Sequence, residues 1–339
     1  MPKCEPWLAD IIQREGGAIT FAQFMGFALY DPDHGYYGSQ VRQVGKTGDF
    51  STSATLCPAF GEAIARWAMA RAEEDFPNGD FHLIEAGAGV GALAESVLKA
   101  WRALGGPAVP YSAVETSPGL RKALAPKARE LGFTVHDGMP DALEAADGHA
   151  IIFSNELVDA FPARQLCWDG EDWREVGLRL QGDELVEGLL PFTDAVDADA
   201  PARPRDGQRI FIHPSYHAWL EAELADWRRG RMLTIDYGAA YPAGEVRAYR
   251  NQEGINGDAI YAHAGQQDLT CDVNFADLQR WGEQLGWQTV GLLPQVGFLE
   301  QWLPDAEARA KDDPALAFLA NPFGAGGAFQ TLEQRVEIG

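Results

Sequence analysis

Seven residues, Glu85-Ala86-Gly87-Ala88-Gly89-Val90-Gly91, restrict the fold of this chain more than any others. An apolar run, Phe81 to Ile84, precedes them, and a helix-like run, Ala92 to Ala103, follows. Strand, tight turn and helix in that order open a parallel α/β sheet. The glycines let the backbone turn sharply and approach a ligand without Cβ interference. The helix behind them presents unpaired N–H groups to whatever sits above the turn. The next strand-like run, Tyr111 to Glu115, ends in an acid, which at that place can hold ribose hydroxyls. A nucleoside-containing ligand over the first two strands is the expectation.

Two ligands fit the glycines. Gly87, Gly89 and Ala92 satisfy the dinucleotide fingerprint G-x-G-x-x-G/A. Glu85, Gly87, Gly89 and Gly91 satisfy the acid-x-G-x-G-x-G pattern of an S-adenosylmethionine site. Glu85 favours the second. A carboxylate there would face the pyrophosphate of a dinucleotide, whereas it suits the ammonium and sulfonium of S-adenosylmethionine.

With 339 residues and 46% hydrophobic content, the chain can build a core domain of ordinary size with additions. Lys and Arg total 27 against 50 Asp and Glu, a net charge of −23. Such a surface repels phosphate backbones and attracts a basic protein or peptide, so nucleic acid is not expected as a partner. Four scattered cysteines without a C-x-x-C pair argue against zinc knuckles and disulfides and suit a reducing compartment. No apolar run reaches the roughly 18 residues of a membrane span. Met1 to Gly17 carries Glu5, Asp10 and Glu15 and reads as neither transit peptide nor secretory signal, so a cytoplasmic protein is expected.

The fold expected is α/β, a doubly wound Rossmann-like sheet with an N-terminal helical cap and β-rich insertions. Strand-like runs fall at 81–85, 111–115, 133–136, 150–154, 231–236 and 287–293, with helix-like runs at 92–103, 118–131, 215–229 and 274–286. Residues 1–78 form the cap, with Thr20 and Gln23 as a capping box and a polar loop that could close over the ligand. Residues 79–339 form the core, with insertions at about 163–210 and 238–272. The tail adds a helix near 305–320 and a β-like run from Ala328 to Val336.

The segment Ser154-Asn155-Glu156-Leu157-Val158-Asp159-Ala160-Phe161-Pro162 lies just past the carboxyl end of the fourth strand, the edge where open α/β sheets bind ligands. Glu156 and Asp159 are three residues apart with the Asn155 amide before them. Paired carboxylates would grip a guanidinium and hold its nitrogen in line with a sulfonium methyl. The same residues also suit a helix N-terminus with an Asn cap. Asp236 closes the fifth strand and faces the same edge, or simply forms a turn with Tyr237-Gly238. His213 and His217 lack the H-E-x-x-H glutamate, and no metal site is expected.

At full length the chain resembles the MidA-like methyltransferases. The matching segments are Leu29-Tyr30-Asp31-Pro32, Gly35-Tyr36-Tyr37, Gly48-Asp49-Phe50, Thr52-Ser53, the glycine turn, Val114-Glu115-Thr116-Ser117-Pro118, Asn155-Glu156, Asp159-Ala160, Pro162, Ile235-Asp236-Tyr237-Gly238, Arg247-Ala248-Tyr249-Arg250 and Asp268-Leu269-Thr270. The resemblance implies a class I S-adenosylmethionine-dependent methyltransferase. Glu85, Gly87, Gly89, Gly91, Glu115, Thr116 and Asn155 would hold the cofactor. Gly48, Asp49, Phe50 and Thr52 would close over it. Asn155, Glu156 and Asp159 would face the acceptor, implied to be a protein arginine, with a respiratory complex subunit among the candidates. The chain departs from the family where Ala88 and Val90 replace Pro and Arg, where Ala54 follows Thr52-Ser53, where Asp272 replaces His, and where Gln330 replaces Lys. Those last two substitutions leave open a small-molecule acceptor; a cofactor-binding assembly factor without catalysis is a separate alternative.

Overall fold

The computed structural model describes residues 2–40, 57–194, 200–241, 245–250 and 253–338. Two compact units divide the chain. One holds Arg42–Leu157, Ala218–Gly238 and Leu278–Gly339; the other holds Met1–Val41, Val158–His217 and Ala239–Asp277.

The first unit is the expected parallel sheet. Its strands are β1 (His82–Ala86), β2 (Tyr111–Val114), β3 (Thr134–His136), β4 (His149–Asn155), β5 (Arg229–Ala239), β6 (Gln288–Pro294) and β7 (Phe329–Glu337). They lie in the order β6-β7-β5-β4-β1-β2-β3. β7 runs antiparallel to both β5 and β6, and β1 to β5 are parallel to one another. Strand order reverses between β1 and β4, which places a ligand crevice at the carboxyl ends of those two strands.

Local sequence explains these elements. β1, β2 and β4 are buried almost throughout, as strands covered on both faces must be. Helix α1 (Pro58–Asp75) starts with Pro at its first turn and buries Phe60, Ala63, Ile64, Trp67 and Ala68. Helix α2 (Ala92–Ala103) buries Leu93, Ala94, Val97, Leu98 and Trp101, a three-four repeat. Helix α3 (Pro118–Leu131) is capped by the Ser117 hydroxyl and stopped by left-handed Gly132. The side chains of α1 and α2 share one core with Leu83, Ala113, Ile151, Phe153, Leu233 and Ile235. Thus α1, which the sequence reading placed in the N-terminal cap, clusters with the sheet. The tail helix breaks into Ala306–Arg309 and Pro314–Leu319, because Asp313 caps the second piece.

The second unit carries the insertions. Ala18–Thr20, Arg164–Trp168, Trp173–Gln181, Glu184–Leu190 and Arg209–Ile212 form an antiparallel sheet. Val246–Arg250, Glu253–Ile255 and Asp268–Cys271 form a smaller one. The helix Phe21–Tyr30 begins with the expected capping box, in which Gln23 N–H donates to Thr20 Oγ1 at 3.1 Å and Thr20 N–H to Gln23 Oε1 at 2.9 Å.

Candidate functional site

The glycine turn joins β1 to α2. Gly87, Gly89 and Gly91 all have positive φ, at 75°, 55° and 73°. Gly91 is the left-handed N-cap of α2, and a Cβ there would lie 2.5 Å from Leu124 Cδ1. A Cβ on Gly89 would meet no described residue within 4 Å. Open space therefore lies over the middle of the turn, and a ligand's atoms can fill it. Gly89→Ala makes no new contact with the described residues and carries a backbone cost of about 1–2 kcal/mol. It is expected to weaken S-adenosylhomocysteine binding by at least roughly tenfold. Calorimetry showing unchanged affinity would remove the ligand from that space.

Glu115 is buried at the end of β2. Its Oε2 accepts from Gly89 N–H at 2.8 Å and its Oε1 from Ser117 N–H at 2.8 Å. The carboxylate thus pins the glycine turn, with the Thr116 N–H as a third backbone donor, and keeps acceptor capacity for a ribose hydroxyl. Burial pushes its pKa up, and the N–H groups of Ser117 and Gly89 partly offset that. Arg121 Nη1 braces the next turn from behind, donating to the carbonyls of Glu115 (2.8 Å) and Thr116 (2.6 Å). Thr116 itself is exposed.

Glu85 corrects the charge argument made from sequence. It is 3% exposed, and its Oε2 accepts from Tyr111 Oη at 2.5 Å. Burial raises its pKa to about 8, so the carboxyl is mostly neutral at pH 7. It supports the turn from beneath and supplies no full negative charge to a cationic ligand. The unfolded chain loses this proton near pH 4.5 and the folded one near 8, so stability falls as pH rises through that window. Glu85→Gln removes this dependence. Relative to the parent it should gain on the order of 4 kcal/mol between about pH 5 and pH 8. Parallel stability–pH curves for the two proteins would contradict the assignment.

At the carboxyl end of β4, Glu156 has φ 52°, a left-handed conformation uncommon for a non-glycine residue. The ladder between β4 and β5 continues past the strand into this turn. Glu156 N–H donates to Ile235 O at 3.0 Å, and Leu157 N–H to Asp236 Oδ2 at 3.2 Å. Asn155 Nδ2 donates to Glu156 Oε1 at 3.1 Å. Asn155 Oδ1 is buried and has no donor among the described residues. The Asn155 amide oxygen and the partly exposed Glu156 carboxylate are thus acceptors side by side.

The chain enters the second unit after Leu157, and Asp159 is described there. It is buried in a 3₁₀ turn. The Tyr37 hydroxyl donates to Asp268 Oδ1 at 2.8 Å, and burial with the charges of Asp268 and Asp159 pushes its pKa well up. Asp272, where the family has His, is ion-paired with Arg247. Gly48, Asp49, Phe50 and Thr52 lie outside the described residues.

Sequence reasoning gathered Glu85, Gly87, Gly89, Gly91, Glu115, Thr116, Asn155 and Glu156, and the structure puts all eight in the sheet unit. It missed Tyr111, the Asp236–Leu157 bond and the backbone strain at Glu156. An acid ending β1 with a tyrosine opening β2 could have signalled the first. No composition or spacing signals the other two.

The glycine cradle, the Glu115 carboxylate and the orphaned Asn155 oxygen suit an adenosyl ligand bearing an amino group. Comparison with known proteins agrees. A family model described as "Putative S-adenosyl-L-methionine-dependent methyltransferase" matches residues 63–293. A mitochondrial protein arginine methyltransferase NDUFAF7 homolog of Caenorhabditis elegans is 28% identical, the match covering 80% of this chain and 70% of that protein. The mitochondrial protein arginine methyltransferase NDUFAF7 of Mus musculus is 26% identical over 84% of this chain and 69% of its own length. A crystal structure from Burkholderia thailandensis with S-adenosyl-homocysteine bound superposes with a TM-score of 0.85 at 25% identity, covering 98% of this chain and 92% of that one. The fold is that of a class I methyltransferase, as expected. The expectation of a cytoplasmic protein is corrected, because these protein relatives are named as mitochondrial. Four free cysteines suit a mitochondrial matrix as well as a cytosol, so their number never separated the two.

Proposed function

Because this chain belongs to the family of S-adenosyl-L-methionine-dependent methyltransferases, we propose that it methylates an arginine nitrogen of a basic protein. It is an enzyme, and S-adenosylmethionine is its cofactor. Gly87, Gly89, Gly91, Glu115 and Asn155 are the residues that would hold the cofactor, with Thr116 beside them and Glu85 beneath. When bound, the cofactor supplies an electrophilic methyl group on a sulfonium.

The acceptor reading rests on one observation above the others: the orphaned Asn155 Oδ1 beside the Glu156 carboxylate. A buried amide oxygen without a donor among the described residues, next to a carboxylate, calls for a ligand rich in N–H groups, and guanidinium presents five in a fixed fork. Glu156 would orient the guanidinium and take the proton that its nitrogen loses on methylation. Asp159, three residues further along the chain, is the second acidic candidate. The net charge of −23 favours a basic partner over an acidic one. The relatives named as protein arginine methyltransferases support the same acceptor.

The test is mass spectrometry of a mitochondrial protein extract incubated with the enzyme and isotope-labelled S-adenosylmethionine. Label on arginine side chains is the expected result. Label confined to small molecules would overturn the arginine reading and leave the cofactor assignment intact.

A further inference from the structure

We propose that Asp236 is a positioning residue that couples the Glu156 turn to the cofactor turn through Leu157. Asp236 is 0% exposed, and both its carboxylate oxygens are spent on backbone. Oδ1 accepts from Tyr237 N–H at 2.9 Å and Oδ2 from Leu157 N–H at 3.2 Å. The second bond holds the residue just after Glu156, whose own N–H is held by Ile235 O. Two successive amides are therefore tied to β5, and the chain between them has no freedom to leave the left-handed conformation. The side chain of Leu157 lies against the cofactor turn, since a Cβ on Gly87 would be 2.8 Å from Leu157 Cδ1. One carboxylate thus sets the aim of Glu156 and the seat of the glycine turn together. Glycine at 87 is required by its φ of 75°, and a Cβ there would also have to push Leu157 Cδ1 aside.

The inference rests on the cofactor reading of the glycine turn and is independent of the acceptor. Its test is calorimetry with S-adenosylhomocysteine on four proteins: the parent, Asp236→Asn, Leu157→Ala and the double variant. Asp236→Asn keeps one acceptor oxygen and loses the other, so affinity is expected to fall about tenfold. Leu157→Ala removes the side chain that transmits the effect. In that background Asp236→Asn should cost no more than about a further twofold. A purely structural Asp236 would give penalties that multiply, and that result overturns the proposal. Amide exchange supplies a second measurement in the folded protein. Leu157 N–H should exchange roughly tenfold faster in Asp236→Asn than in the parent, and equal rates would refute the coupling. A parent protein that fails to bind S-adenosylhomocysteine would sink both the site and the inference. A parent that binds, with Asp236→Asn binding equally well, sinks the inference alone.

Discussion

Glu156→Gln is expected to lower methyl transfer by at least about 100-fold while S-adenosylhomocysteine affinity stays within a few-fold of the parent. The amide cannot take the proton released at the acceptor nitrogen, and its NH2 would face the N–H groups it is meant to receive. The cradle proposed for the cofactor, Gly87, Gly89, Gly91 and Glu115, is left intact by this change, so binding should survive. Glu156→Gly gives a sharper signature. The parent holds a side chain at φ 52°, which costs roughly 1–2 kcal/mol, and glycine carries no such cost. After glycine's larger unfolded-state entropy is subtracted, the variant should be more stable by about 1 kcal/mol and inactive. Opposite signs in stability and activity mark strain retained for chemistry. Normal turnover in Glu156→Gln would remove the residue from the mechanism. A less stable Glu156→Gly would show that the turn stores no strain.

Arg231→Met should destabilise the protein by roughly 3–5 kcal/mol, read as a lowered denaturation midpoint. Arg231 lies near the start of β5 and is 7% exposed. Its Nε donates to Asp75 at 2.7 Å, its Nη1 to Glu333 at 2.8 Å and its Nη2 to Glu74 at 2.9 Å. Trp67 Nε1 and Arg71 Nη2 also donate to Glu333, each at 3.1 Å. The network ties α1 to β5 and β7. Removing its central cation strands Asp75, which is 1% exposed, beside an apolar replacement. Asp236 is five residues further along the strand, about 16 Å away. Binding of S-adenosylhomocysteine measured below the transition should therefore be unchanged. A shift under about 1 kcal/mol would show that Arg335, which also contacts Asp75 at 3.0 Å, replaces the lost charge.

Where local pattern and tertiary environment agree, the sequence was legible. β1 and α2 are visible as an apolar run, a glycine turn and a three-four repeat, and the structure matches them closely. The capping box at Thr20 and Gln23 was visible because its chemistry is local. The failures share a different cause. Glu85 reads as a charge from its residue type alone, yet burial in the folded sheet keeps it protonated, against the opposing hydrogen bond from Tyr111, 26 residues away. The conformation of Glu156 is imposed by Ile235 and Asp236, some 80 residues later, and no one-dimensional pattern carries that bond. The placement of α1 was misread because helical periodicity reports a buried face without reporting what covers it. The residues of the glycine turn were therefore easier to read than the groups that hold them in place.

β7 comes last in chain order among the strands named above, yet it lies between β5 and β6. During synthesis β5 leaves the ribosome with one flank unpaired and keeps it so until some ninety residues more have been made. A nascent chain arrested before Phe329 would expose two raw edges of an otherwise finished sheet, a template for self-association. Asp236 pairs in register with Gln330, near the start of that strand, so the residue proposed to aim Glu156 gains its outer neighbour only then. Premature termination should yield aggregates or proteolysis and no half-active fragment.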